Sequence, residues 1–98
     1  MLENLKLESF SSRLNSKFLI HREPEGTVEV ELIEILDLGS TPRQEQFSIV
    51  FRGPRNQELQ QGIYRFEHEG IGAFEMFIVP FKRVQDGILY EAIFNRPL

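Results

Sequence analysis

The sequence predicts a small, mostly β protein: an antiparallel six-stranded barrel or strongly curled sheet with one short helix near its N-terminus. Three observations carry this reading. Apolar and polar residues alternate with a period of two over most of the chain beyond Ser16. Gly, Pro, Asn and Asp interrupt that alternation at short intervals, as turns between strands require. Within one run the apolar phase slips by a single residue, which a flat, regular strand does not tolerate. A flat two-layer α+β sheet is the alternative architecture.

The elements follow in order. Leu7, Phe10 and Leu14 recur at helical spacing, so a short helix is expected over residues 5–14. Asn4 is its candidate cap, and Asn15 ends it in a left-handed conformation. A helix this short is unstable alone and needs to pack on the sheet. Strands are expected over residues 17–22, 27–37, 45–52, 62–68, 73–82 and 88–95. In the second, Val28, Val30 and Leu32 alternate with Glu29 and Glu31, and then the apolar residues move to Ile33 and Ile35. That slip predicts a β-bulge near Leu32–Ile33. In the third, Phe47, Ile49 and Phe51 share a face, and Gly53-Pro54 stops the strand because proline has no N–H for a ladder.

The last two hairpins specify a register. A three-residue loop, Glu69 to Ile71, sets Arg65 opposite Glu75 and Phe66 opposite Phe74. A two-residue loop would set Tyr64 opposite Phe77 instead. Asp86-Gly87 is the signature of a type I′ turn. It places Lys82 opposite Glu91, Phe81 opposite Ala92 and Val79 opposite Phe94. The strand 73–82 is apolar on both faces, which predicts that it is central or covered on both sides. Pro80 within it predicts a bend. The expected core includes Phe51, Phe66, Phe77, Val79, Phe81 and Phe94.

Composition narrows the function classes. The 98 residues amount to one domain, and a 41% hydrophobic content with nine Phe supplies a core without staples. The absence of cysteine excludes disulfides, thiolate zinc sites and cysteine nucleophiles. A net charge of −4 argues against nucleic-acid binding. The segment from Met1 to Phe10 lacks a basic region followed by an apolar run, and Ala73 to Phe81 is too short to cross a bilayer. A cytoplasmic protein with no membrane partner is expected. Charge is segregated. Glu23, Glu25, Glu29, Glu31, Glu34 and Asp37 form an acidic run, whereas Arg43, Arg52, Arg55 and Arg65 dominate the following stretch. Such runs are ordinarily solvated faces; the sharper reading is a dipolar surface that orients a partner.

Chemistry-bearing patterns are few. His21 and His68 form no metal-ligand spacing, and no cofactor is implied. Gly70-Ile71-Gly72 reads as a hairpin rather than a phosphate loop. Glu67, Glu75 and Glu91 fall on neighbouring strands without a supporting polar cluster, and no hydroxyl nucleophile has its usual context. No catalytic residue is therefore assigned. The candidate binding loop runs from Arg52 to Gln61, with Arg52, Arg55 and Leu59 as contact residues on a rigid scaffold. The bland reading is that Leu59 tucks beneath the loop while the arginines solubilise it.

The chain also resembles a bacterial family of small domains of unknown function. Phe51-Arg52-Gly53-Pro54, Gln61-Gly62-Ile63-Tyr64, Glu67-His68 and Gly72 carry the resemblance, with Phe77-Ile78-Val79-Pro80 and Tyr90-Glu91-Ala92-Ile93-Phe94-Asn95. These are mostly fold-type positions. The resemblance implies a compact β domain and assigns no activity or functional residue. The functional expectation is a non-enzymatic interaction or accessory module of a larger assembly, with a protein partner. A small-ligand-binding barrel is the alternative, and an edge strand would allow a homodimer.

Overall fold

The computed structural model describes residues 7–22, 24–39 and 41–97, the last two as backbone only. The elements are α1 (Leu7–Ser11), β1 (Lys17–Arg22), β2 (Gly26–Asp37), β3 (Gln44–Gly53), β4 (Gly62–His68), β5 (Gly72–Val84) and β6 (Gly87–Pro97). Six antiparallel strands close into a ring in the order β1-β2-β3-β6-β5-β4, with β4 returning to β1.

The helix is shorter than its apolar spacing predicts. After Ser11 the chain turns, and Asn15 takes a left-handed φ of 69°. The Asn15 N–H then donates to the Leu32 carbonyl (2.6 Å), and the Leu32 N–H donates to the Ser16 carbonyl (3.1 Å). These bonds tie the chain to β2, so the helix cannot continue and Leu14 is left exposed. Asn4 and the first residues of the expected helix lie outside the described residues.

The slip in β2 is a bulge. Leu32 pairs with Phe51, Glu34 pairs with Val50, and Ile33 is the extra residue. The kink lets β2 follow the curvature of the ring. The hairpin between β4 and β5 has the expected register, with Arg65 opposite Glu75 and Phe66 opposite Phe74. Gly72, at φ 99°, supplies the backbone conformation that closes it.

The β5–β6 register differs from the expected one. The turn is Gln85-Asp86, and Gly87 already belongs to β6, opposite Val84. Gly87 is needed for close approach rather than for turn geometry. A Cβ there would lie 2.5 Å from the Gly53 carbonyl oxygen and 2.7 Å from Arg52 Cγ. A second shift follows between Pro80 and Lys82, where the proline cannot donate to the ladder. Lys82 therefore faces Leu89, Pro80 faces Tyr90 and Val79 faces Glu91, so the expected Lys82–Glu91, Phe81–Ala92 and Val79–Phe94 pairs do not form.

Inside the ring, Phe18, Ile20, Val30, Leu32, Ile49, Phe51, Phe66, Ile78 and Tyr90 are essentially inaccessible. Phe10 reaches in from α1 and closes one end. Its ring lies 5.3 Å from Phe94 and 6.1 Å from both Phe47 and Phe74, between ring centroids. The interior is filled by side chains. Phe51 and Phe66 are buried as expected, and Val79 and Phe94 are half-buried. Phe77 and Phe81 are not core residues: they are 50% and 51% exposed. β5 buries Phe74, Met76 and Ile78 inward, and among the described residues Glu75 and Phe77 on its other face are left exposed.

Candidate binding groove

The loop after β3 is built around a buried anchor. Leu59 is 1% exposed, and its N–H donates to the Tyr90 hydroxyl at 2.8 Å. Burial raises the Tyr90 pKa above the ordinary phenol value, although the hydrogen bond from Leu59 opposes the shift. Arg52 Nη2 meets Glu31 Oε1 at 2.7 Å, and Nη1 meets Asp86 Oδ2 at 3.5 Å. Arg55 is exposed on the loop. The three candidate contact residues are thus separated by role: Leu59 holds the loop from inside, Arg52 is engaged by two carboxylates, and Arg55 alone faces solvent. The acidic run is likewise partly neutralised. Glu31 meets both Arg52 and Lys17, the latter also near Glu29.

The histidines are held by hydrogen bonds. His21 Nε2 and Glu67 Oε1 are 2.8 Å apart across β1 and β4. His68 is buried, and its Nδ1 accepts from the Gly70 N–H at 2.9 Å. In the neutral ring the proton must then sit on Nε2, which donates to Ser16 Oγ at 3.0 Å. Ser16 Oγ in turn donates to the Arg13 carbonyl at 2.5 Å. The polarity runs from histidine to serine, opposite to that of a base activating a nucleophile. Burial and the Arg13 charge lower the His68 pKa, with Glu69 opposing, which favours this neutral form. Among the described residues no group of three or more His, Cys, Asp or Glu is placed to hold a metal ion.

The uncovered face lies elsewhere. On the outside of the ring, Leu36 pairs with Ser48, and Ser48 with Ile93. Across the next seam, Phe77 pairs with Ile63. Leu36, Ile93, Phe77 and Ile63 are 51%, 65%, 50% and 69% exposed, and they follow one another around the sheet as an apolar rung. Ser48 is the small residue within it. The parallel rungs are more polar: Gln46 and Asn95 pair on one side, and Glu34 and Glu91 flank the buried Val50 on the other. Single exposed apolar residues are ordinary, but an aligned set in a sheet is not.

This rung crosses a break in the ring. Ladder pairs between β5 and β6 run only from Val79–Glu91 to Val84–Gly87. The first half of β5 pairs with β4, and the second half of β6 pairs with β3. Between those diverging halves is a groove of about 350 Å³ lined by Glu75, Met76, Phe77, Val79, Glu91 and Ile93, with Phe94 and Asn95 at its end. The lining is mainly apolar, with Glu75 and Glu91 as its charged groups. The sequence pattern behind it is a strand apolar on both faces: β5 is flanked by β4 and β6, as such a strand predicts, but only its inward face is covered.

Fold and groove define a class: a small β ring, packed solid inside, with an apolar groove on the outside of the sheet. No helix among the described residues is long and apolar enough to cross a membrane. The chain belongs to the family DUF6916, a domain of unknown function, whose match covers residues 5–94. No curated protein and no solved structure matches the chain.

Proposed function

We propose that this protein is a non-enzymatic interaction module that seats a protein partner in the groove between β5 and β6, as an accessory part of a larger bacterial assembly. The observation that carries the reading is the exposed rung Leu36–Ile93–Phe77–Ile63 crossing an open seam. Leaving large apolar side chains in water is unfavourable by roughly 25 cal/mol for each Å² that a partner would bury. Packing also disfavours the alternative of a ligand inside the ring, because Phe18, Phe51, Phe66, Ile78 and Tyr90 occupy that space. The cysteine-free sequence is compatible with a reducing cytoplasm as the place of action.

The test is site-specific photo-crosslinking in native cells, with the photoreactive residue at Phe77 and, as control, at the exposed Glu25. A discrete adduct from position 77, abolished by Ile93→Lys in the folded protein, is the expected result. Equal labelling from both positions, or none from position 77, rejects the reading.

A further inference from the structure

We infer that the occupant of the β5–β6 groove is an extended strand of a partner polypeptide that alternates apolar residues with lysine or arginine. This inference rests on the groove being a protein-binding site and adds what binds there. Two independent features lead to it.

The first is the backbone. Among the described residues, 73–78 of β5 and 92–95 of β6 each have a strand neighbour on one side only, since no ladder joins them across the gap. Strand edges of this kind are completed by another strand, whose main-chain N–H and C=O groups continue the ladder. A helix or a compact small molecule has no periodic donors and acceptors to offer them. The apolar side chains Phe77 and Ile93 face outward from the two edges, so a strand lying there would set alternate side chains against them.

The second feature is charge. Glu75 and Glu91 line the groove, and Glu34 lies two strands from β6 on the same rung as Glu91. None of the three makes an ion pair among the described residues, whereas Glu29, Glu31, Glu58 and Glu67 each have a partner. An apolar strip bordered by unpaired carboxylates is complementary to a cationic, apolar segment. It also disfavours a second copy of this chain. A two-fold axis would lay the carboxylate-bordered strip of one copy on that of the other and set like charge against like charge.

The experiment uses the full chain and three short synthetic peptides in which valine alternates with lysine, glutamine or glutamate. Binding is followed by calorimetry and by amide exchange. The lysine peptide is expected to bind, to slow amide exchange in residues 73–78 and 92–95, and to weaken with salt. The paired substitutions Glu75→Gln and Glu91→Gln should weaken it by about three- to tenfold, as expected for exposed charge pairs. The same variant should leave the glutamine peptide's affinity unchanged. Phe77→Ser should weaken both peptides, and its unaltered urea midpoint would show that the fold is intact.

Equal binding of the lysine and glutamate peptides overturns the charge inference. So does indifference of the lysine peptide to the Glu75→Gln, Glu91→Gln variant. Failure of all three peptides while the adduct at position 77 still forms overturns the strand inference and leaves the groove as a protein site. Concentration-dependent self-association abolished by Phe77→Ser would make a second copy the occupant and overturn it as well.

Discussion

Removing a single oxygen atom from Tyr90 tests how the loop after β3 is held. Tyr90 is fully buried, and its hydroxyl accepts the Leu59 N–H at 2.8 Å. Tyr90→Phe keeps the ring, its packing and its volume, so cavity terms are negligible. What changes is that a buried main-chain donor loses its acceptor. An unsatisfied buried donor costs about 1–3 kcal/mol, which in a domain of this size lowers the melting temperature by about 4–8 °C per kcal/mol. The assay is urea unfolding of both proteins combined with amide exchange at Leu59. A drop in stability within that range, with faster exchange at Leu59, is expected. If the loop instead lifts to let water reach the amide, the stability loss shrinks but Leu59 exchange accelerates further. An unchanged urea midpoint together with an equally protected Leu59 amide would refute the reasoning, because the hydroxyl would then not be what anchors the loop.

The remaining predictions concern the stopper, the hairpin and acid stability. Phe10→Ala should cost ~3–5 kcal/mol in urea unfolding, since Phe10 is fully buried against four other rings, whereas Phe77→Ser on the exposed face should change stability by less than about 0.5 kcal/mol. Similar losses from both would reject the assigned core. Gly87→Ala should destabilise by about 1–3 kcal/mol, because its Cβ would press on the Gly53 carbonyl; a neutral effect in thermal unfolding would show that the β3–β6 approach is looser than 2.5 Å. The lowered His68 pKa sets a pH dependence. The unfolded chain takes up the proton before the folded one, so this contribution is fully present above the ordinary imidazole pKa of 6.5. It is lost as pH falls from there through the lowered folded value. His68→Gln should flatten that part of the stability–pH profile, and a profile identical to the parent's would exclude His68 as its source.

Local patterns in the chain were sufficient for the strands, because a half-buried strand writes its own period of two. The six strands fall within two residues of where the alternation puts them. Leu32–Ile33 announces the bulge because a slip by one residue would otherwise turn the core face outward. Asn15 announces the turn into β1 because few other residues accept a left-handed φ, although the helix itself stops at Ser11. Register was less secure. Asp86-Gly87 has the composition of a tight turn, but glycine also serves where two backbones approach. Only the position of Gly53 relative to Gly87 distinguishes the two uses.

The site was the least legible. Arg52, Arg55 and Leu59 were candidate contacts together, and of the two readings for Leu59 the structure has it tucked beneath the loop, where Tyr90 offers its N–H an acceptor. Phe77 and Phe81 looked like core because a strand apolar on both faces is ordinarily covered on both faces. Sequence by itself determined the class of fold, the strands and the bulge, all of which depend on neighbours within a few residues. Tertiary structure alone decided which apolar face stays in water. That outcome depends on where β5 leaves β4 for β6, which is set by strand pairings remote along the chain and by the ladder bond that Pro80 cannot make.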